Sequence, residues 1–488
     1  MPVSKPEFIN CSQRRHFLPT ALAVIGFTLF AGSNPIGAQE PLALVGGRLI
    51  DGNGGVPIED AAIVINGSII TAVGPVSTTQ IPAGAKIVRV VGKTILPGLI
   101  DAHMHIGGSG GGSADSREFT PAATHNNLLS YLKFGVTTVY DMAALPNLNE
   151  MKTALDAGHL VGPRLYGNGF GITAPGSHPI RLLTEIGVIE LLGPFYFQVD
   201  TVEAGRAAVR KIAAAKTDGI KIFHSRAESA TSRYDSDRNK LKPEILIAVI
   251  EEAHARGLKV YAHISFPSEA KEVVEAGGDV IVHSISMAET GADEVLRLMA
   301  ARNVVYIPTL AVTEANYALN ADLFFTSSLR GKVWDVLLDS ITHPNSIVMF
   351  RQDIPGFIND TRRSLEISMA NLRQAIKAGV KIALGSDAGN AGMLHGVTVI
   401  RELELMNRAG MTPMQVIIAA TKNAADVIGQ GQRLGTLEPG KLADIIVVDG
   451  NPLQDISAMR KLEWVVKNGK IIDPGKLTYE EPPLSSEL

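Results

Sequence analysis

From Gly98 to Gly389 one pattern recurs eight times: a short apolar or β-branched run, then a stretch with helical periodicity. The runs are "GLIDAHMH", "VTTVYDMA", "RLYGNGFGI", "GIKIFHS", "KVYAHIS", "VIVHSIS", "VVYIPTL" and "KIALGSDAG". Segments such as "TVEAGRAAVRKIAAAK" and "PEILIAVIEEAHARG" lie between them. Parallel strands need a long crossover, and a helix supplies it, so this alternation predicts parallel β/α units. Eight units within residues 96–431 predict an α/β fold, a (β/α)8 TIM barrel of the larger kind. A doubly wound open sheet is the structural alternative.

The flanks differ in texture. From Leu42 to Val91 short alternating strands are punctuated by Gly and Pro, and after Gly431 the same texture returns in "RLGTLEPGKLADIIVVDGNP" and "KLEWVVKNGKII". Residues 39–95 and 432–480 are therefore expected to form the two halves of one small β-sandwich, built from both chain ends. Length agrees, since 488 residues exceed what one simple core organises. The stretch Thr313–Asp360 reads as an insertion or lid between the seventh and eighth strands.

Residues 1–38 read as an export signal: Arg14 and Arg15, an apolar run from Phe17 to Gly32, then Ile36-Gly37-Ala38 as a cleavage site. "SQRRHFL" has the form of a twin-arginine signal, with an ordinary secretory signal or an uncleaved anchor as the alternatives. The expectation is a bacterial periplasmic or extracellular protein without a stable membrane span after cleavage. The single cysteine, Cys11, falls in that segment, so the mature chain would hold any metal on His, Asp, Glu or Lys. A net charge of −4 without a basic tract argues against a nucleic-acid partner.

Metal-ligand residue types gather at the carboxyl ends of five predicted strands, the face where barrel active sites are built. Positions i and i+2 of a strand share a face, so His103 and His105 project together. Lys221, His263, His283 and Asp387 occupy the ends of the fourth, fifth, sixth and eighth runs. Singly, each has an ordinary explanation: a satisfied polar pair, a salt-bridged lysine, a core-edge histidine, an Asx turn. Together they fit two divalent ions, one on His103, His105 and Asp387, the other on His263 and His283, with Lys221 between. An ammonium cannot ligate, so Lys221 must be neutral or carboxylated to a bridging carbamate.

This motif set ("DAHMH", "IKIF", "AHIS", "VHSIS", "GSDAG") resembles the amidohydrolase superfamily, and the tail "GTLEPGKLADIIVVDGNP" resembles its returning β segment. The match is strongest to metal-dependent dipeptidases of prolidase-like and Xaa-Arg type and to imidazolonepropionase-like proteins. The resemblance implies two zinc ions bridged by a carboxylated lysine formed with CO2, in a homo-oligomer acting on a small molecule or short peptide. It also makes His178, in "GITAPGSHP", a substrate contact, although Ser177 stands where the family usually has glycine. His395, Arg226, Arg233 and Tyr234 are further substrate-contact candidates, and Asp141 a supporting residue. The run Gly107–Gly112 reads as an open loop beside the metals.

The function expected is hydrolysis of an amide C–N bond of a dipeptide or N-acyl amino acid, by a hydroxide bridging the ions, with Asp387 as proton acceptor. Other electrophiles remain open: an aryl amide such as a mycotoxin, a carbamate, a lactone or a phosphotriester. Deamination is disfavoured, because no acid follows His263 until Glu269. A non-catalytic barrel is disfavoured because all six ligand candidates are present.

Overall fold

Strand-forming sequence at the two chain ends meets in one sheet. The computed structural model describes residues 40–108, 120–142, 148–185, 189–226, 240–287, 289–318, 329–330, 332–342 and 356–480. The expected export segment lies outside them. The early strands are β1 (Leu42–Leu49), β2 (Ile58–Asn66), β3 (Ile69–Pro75), β4 (Lys86–Arg89) and β5 (Lys93–Pro97). Their alternating apolar positions form one buried cluster with the C-terminal strands, including Leu44, Ile63, Ile95, Ile445 and Val447.

The parallel part follows in chain order: β6 (Leu99–Met104), β7 (Val136–Asp141), β8 (Arg164–Gly167), β9 (Gly171–Thr173), β10 (Tyr196–Gln198), β11 (Gly219–Phe223), β12 (Lys259–His263), β13 (Val280–Val282) and β14 (Val305–Ile307). They pair as β6-β7-β8 and β10-β9-β11-β12-β13-β14. Register places strand ends side by side: Phe223 opposite His263, His263 opposite Val282, and Val282 opposite Ile307. β7, β11 and β13 are buried on both faces, as parallel sheets covered by helices are.

The helices obey local rules. Thr120 caps Pro121–Lys133 by accepting from Ala123 N, with Pro121 at the first helical position. Val202–Ala214 is capped by Thr201 and buries Ala208, Val209 and Ile212 along one stripe. Within the expected insertion 313–360, most of the described residues are helical, in Leu310–Ala318, Asp335–Thr342 and the start of Phe357–Ala378.

Two runs depart from the sequence reading. "RLYGNGFGI" is not one strand but two, β8 and β9, parted at Asn168–Phe170 where Gly169 takes φ +69°. "KIALGSDAG" forms no regular strand, because Asp387 and Gly389 both take positive φ. It nevertheless hydrogen-bonds on both sides. Tyr306 N donates to Lys381 O, while Ala102 N donates to Leu384 O and Asp387 N to His103 O.

At the C-terminal end β15 (Ile445–Asp449), β16 (Leu462–Lys467) and β17 (Lys470–Ile472) complete the first sheet in the order β17-β16-β15-β5-β1-β2-β3, with β4 also on β1. β5 ends at Pro97 and β6 begins at Leu99, so sheet and parallel strands are joined through a single residue. Arg164 of β8 grips Asp444, just before β15, through a buried bidentate pair at 2.9 and 3.0 Å. No helix among the described residues is long and apolar enough to cross a membrane.

Candidate metal centre

The Asp387 carboxylate meets the ends of two strands, β6 and β13. His103 Nε2 lies 3.2 Å and His105 Nε2 3.0 Å from its Oδ1, and His283 Nδ1 lies 3.6 Å from its Oδ2. His103 and His283 have ring centroids 4.5 Å apart, His283 and His263 4.3 Å, and His263 stacks on His178 at 4.3 Å. Five imidazoles thus form a continuous row, with His105 at one end, 5.4 Å from His103. Strand order divides the candidate ligands between two ions. The tight group in the structure is His103, His283 and Asp387, whose ligand atoms all lie within 4.8 Å of one another.

Electrostatics suit this group to cation binding. Burial, with Lys221 nearby, holds His103 down at about 3, and burial and neighbouring histidines hold His263 and His283 well below the usual imidazole range. These rings are neutral at neutral pH and offer lone pairs. Burial alone would raise Asp387, yet His283 and His103 keep it well below the usual carboxylate range. Lys221 is wholly buried on β11, 5.1 Å from the Phe223 ring, and burial pushes its amine down to about 7. Its Nζ and both His103 ring nitrogens make no aligned hydrogen bond among the described residues. Neutral imidazoles, one carboxylate and an orphaned amine are the donor set of a zinc-type divalent ion, so the residues fit such a metal.

What aims these ligands was less visible. Asp101, fully buried in β6, accepts hydrogen bonds from Ser386 N at 2.9 Å, from Ser386 Oγ and from His103 N at 3.2 Å. It thereby ties the strand of the histidine pair to the segment bearing Asp387. Gly389 packs even closer: a Cβ there would sit 2.1 Å from His105 O. Thr309 Oγ1 lies 3.0 Å from His283 Nδ1. His283, Thr309 and Asp387 all adopt left-handed φ (72°, 45° and 60°), strain of the kind that gathers at functional sites. Glu269 accepts from the backbone N–H of Ser265, Phe266 and Arg226, binding together the loops after β11 and β12. The sequence signal for Asp101 was its place two residues before His103, and for Thr309 the strand-end "IPT".

The substrate-contact candidates divide. His178 joins the imidazole row, and Ser177 beside it donates from Oγ to Ser225 O after β11. His395 is buried behind the ligands, its Nε2 donating to His105 O at 3.1 Å. The Arg226 guanidinium is engaged by Ser268 and Glu289, each at 3.0 Å, and lies over the Phe266 ring. Asp141 is buried at the end of β7. Arg233 and Tyr234 lie outside the described residues. So does most of the run Gly107–Gly112, of which Gly108 packs against Gly389.

The amidohydrolase family model matches residues 94–472. Ochratoxinase of Aspergillus niger is 29% identical over 461 residues, covering 87% of this chain and 85% of that protein. Imidazolonepropionase of a Geobacillus species is 25% identical over 420 residues, covering 81% and 85% respectively. Among solved structures, a Xaa-Pro dipeptidase with methionine bound in its active site superposes with a TM-score of 0.69 at 25% identity, covering 89% of this chain and all of that one.

Proposed function

The chain belongs to the amidohydrolase family and is a hydrolase, and from that premise we propose that it is an exported, metal-dependent enzyme cleaving the amide bond of a dipeptide or N-acyl amino acid. The observation that carries this is the convergence of His103, His105, His263, His283, Lys221 and Asp387 at the carboxyl ends of parallel strands. The similarity to a Xaa-Pro dipeptidase supports the substrate class. We read the parallel strands as one (β/α)8 barrel, supported by the bonds of residues 381–388 to both β14 and β6. The sheet built from both chain ends supports the β-sandwich reading. Arg14-Arg15 before an apolar run supports export.

His103, His105, His263, His283 and Asp387 would hold two divalent ions, most simply zinc, with Lys221 as a carbamate between them. When bound, the ions supply Lewis-acid polarisation and a lowered water pKa. The remaining chemistry belongs to the chain. Burial keeps the imidazoles unprotonated and aimed inward. Asp387 accepts the proton of the attacking water and returns it to the departing nitrogen. His178, stacked on His263, would contact the substrate.

The test is a panel of dipeptides and N-acyl amino acids, with a lactone, a carbamate and a phosphotriester alongside, assayed before and after chelation and zinc repletion. Amide turnover that disappears on chelation and returns with zinc is expected. Turnover of the lactone or phosphotriester with every amide untouched would overturn the assignment.

A further inference from the structure

One strand at the mouth of the site belongs to none of the eight β/α units. β10 pairs in parallel with β9, Tyr196 opposite Gly171. The other edge of β9 is taken by β11, while β8, the preceding half of the same run, pairs with β7. β10 therefore stands on the edge of β9 that β8 gives to β7, at the carboxyl end where Asp141 closes β7.

Strand parity sends its side chains to opposite faces. Phe197 packs on Phe170, with ring centroids 5.8 Å apart. Tyr196 turns the other way, edge-on to Phe223 at 5.5 Å. Phe223 in turn lies 5.6 Å from His178 and 5.5 Å from His263, so the two aromatic rings continue the imidazole row sideways. Gly171 makes the room: a Cβ there would sit 2.6 Å from Phe223 and 2.9 Å from Tyr196. Tyr196 is only half-buried, and its hydroxyl makes no hydrogen bond among the described residues. Burial, together with the Asp141 and Asp387 charges, raises its phenol well above the usual range, so it remains a donor.

We propose that Tyr196 is a substrate-contact residue: its ring and Phe223 receive a planar aromatic group next to the scissile carbonyl, and its hydroxyl donates a hydrogen bond to the substrate. This rests on the amide-hydrolase reading and narrows it to aromatic acyl groups, because the wall lies directly beside His263.

Benzoate and acetate share a carboxylate and differ by the ring, so their binding ratio isolates the wall from charge and metal. Calorimetric titration of the metal-loaded wild type should show benzoate binding at least about tenfold tighter than acetate. Tyr196→Leu should abolish that preference, with acetate weakened only by the roughly two- to tenfold that one lost hydrogen bond is worth. Tyr196→Phe should keep the preference but weaken benzoate roughly two- to tenfold, the worth of one hydrogen bond. If Tyr196 only props the fold, Tyr196→Leu would weaken both acids alike and leave their ratio unchanged. Equal binding of the two acids to the wild type, no saturable benzoate binding, or an unaltered preference in Tyr196→Leu overturns the proposal. Should Tyr196→Leu fail to fold, unchanged benzoate affinity in Tyr196→Phe overturns it instead. Turnover of N-benzoylglycine and N-acetylglycine is read separately, so absent hydrolysis would sink the amidase reading while the binding ratio still decides Tyr196.

Discussion

Lys221→Met removes an amine that is fully buried on β11 and makes no hydrogen bond among the described residues. Burial, only partly offset by the Asp387 carboxylate, lowers that amine from its ordinary 10.5 to about 7. The unfolded chain keeps the proton up to the ordinary value, so folding of the metal-free protein expels it throughout the window from pH 7 to 10.5. Stability therefore rises with pH across that window, by ~1.4 kcal/mol per unit. The full penalty, on the order of 5 kcal/mol, is present at and below pH 7 and gone above pH 10.5. Methionine has similar length and no charge to desolvate. In chelator-treated protein Lys221→Met should thus unfold at a higher temperature than wild type at pH 7, and the gap should close as the pH approaches 10.5. Thermal unfolding by circular dichroism, at one scan rate over a pH series, measures this. With zinc and bicarbonate present the order should reverse, Lys221→Met holding fewer ions by elemental analysis and melting lower. A chelated variant no more stable than wild type at pH 7, or a gap that ignores pH, would refute the reasoning.

Asp387→Asn keeps shape and removes the proton acceptor, so kcat on the best amide should fall by ~10²–10⁴ while the melting temperature holds; full activity would remove Asp387 from its role. Asp101→Ala strips the acceptor from the Ser386 N–H, the Ser386 hydroxyl and the His103 N–H, and three buried unpaired donors should cost at least about 3 kcal/mol by denaturant titration. Asp101→Asn retains an acceptor and adds a donor toward Ser386 Oγ, so it should cost distinctly less; equal losses would mean that only side-chain volume matters there. Gly389→Ala puts a Cβ against His105 O at a φ of 102°, and should lower bound zinc per chain without touching any ligand side chain.

The candidate ligands were readable because most lie in or just beyond a short strand whose face is set by its own few residues. The alternation through "DAHMH" brings His103 and His105 to one side whatever the rest of the chain does. The run "RLYGNGFGI" misled for the complementary reason. Its apolar content is that of a single strand, and only the neighbours that β8 and β9 must reach force a break at Gly169. Asp101 and Ser386, 285 residues apart, become partners only once residues 381–388 lie against β6. Tyr196 sits in a three-residue strand whose place is decided by pairing with β9, and no periodicity in "GPFYFQVD" announces it. Local rules therefore expose the groups that bind, and non-local register decides where they point. The Asp101–Ser386 link joins the strand of His103 to the residue before Asp387, so loosening it should separate ligands that are themselves intact. Loss of metal from Asp101→Ala without loss of any ligand is the signature of that arrangement.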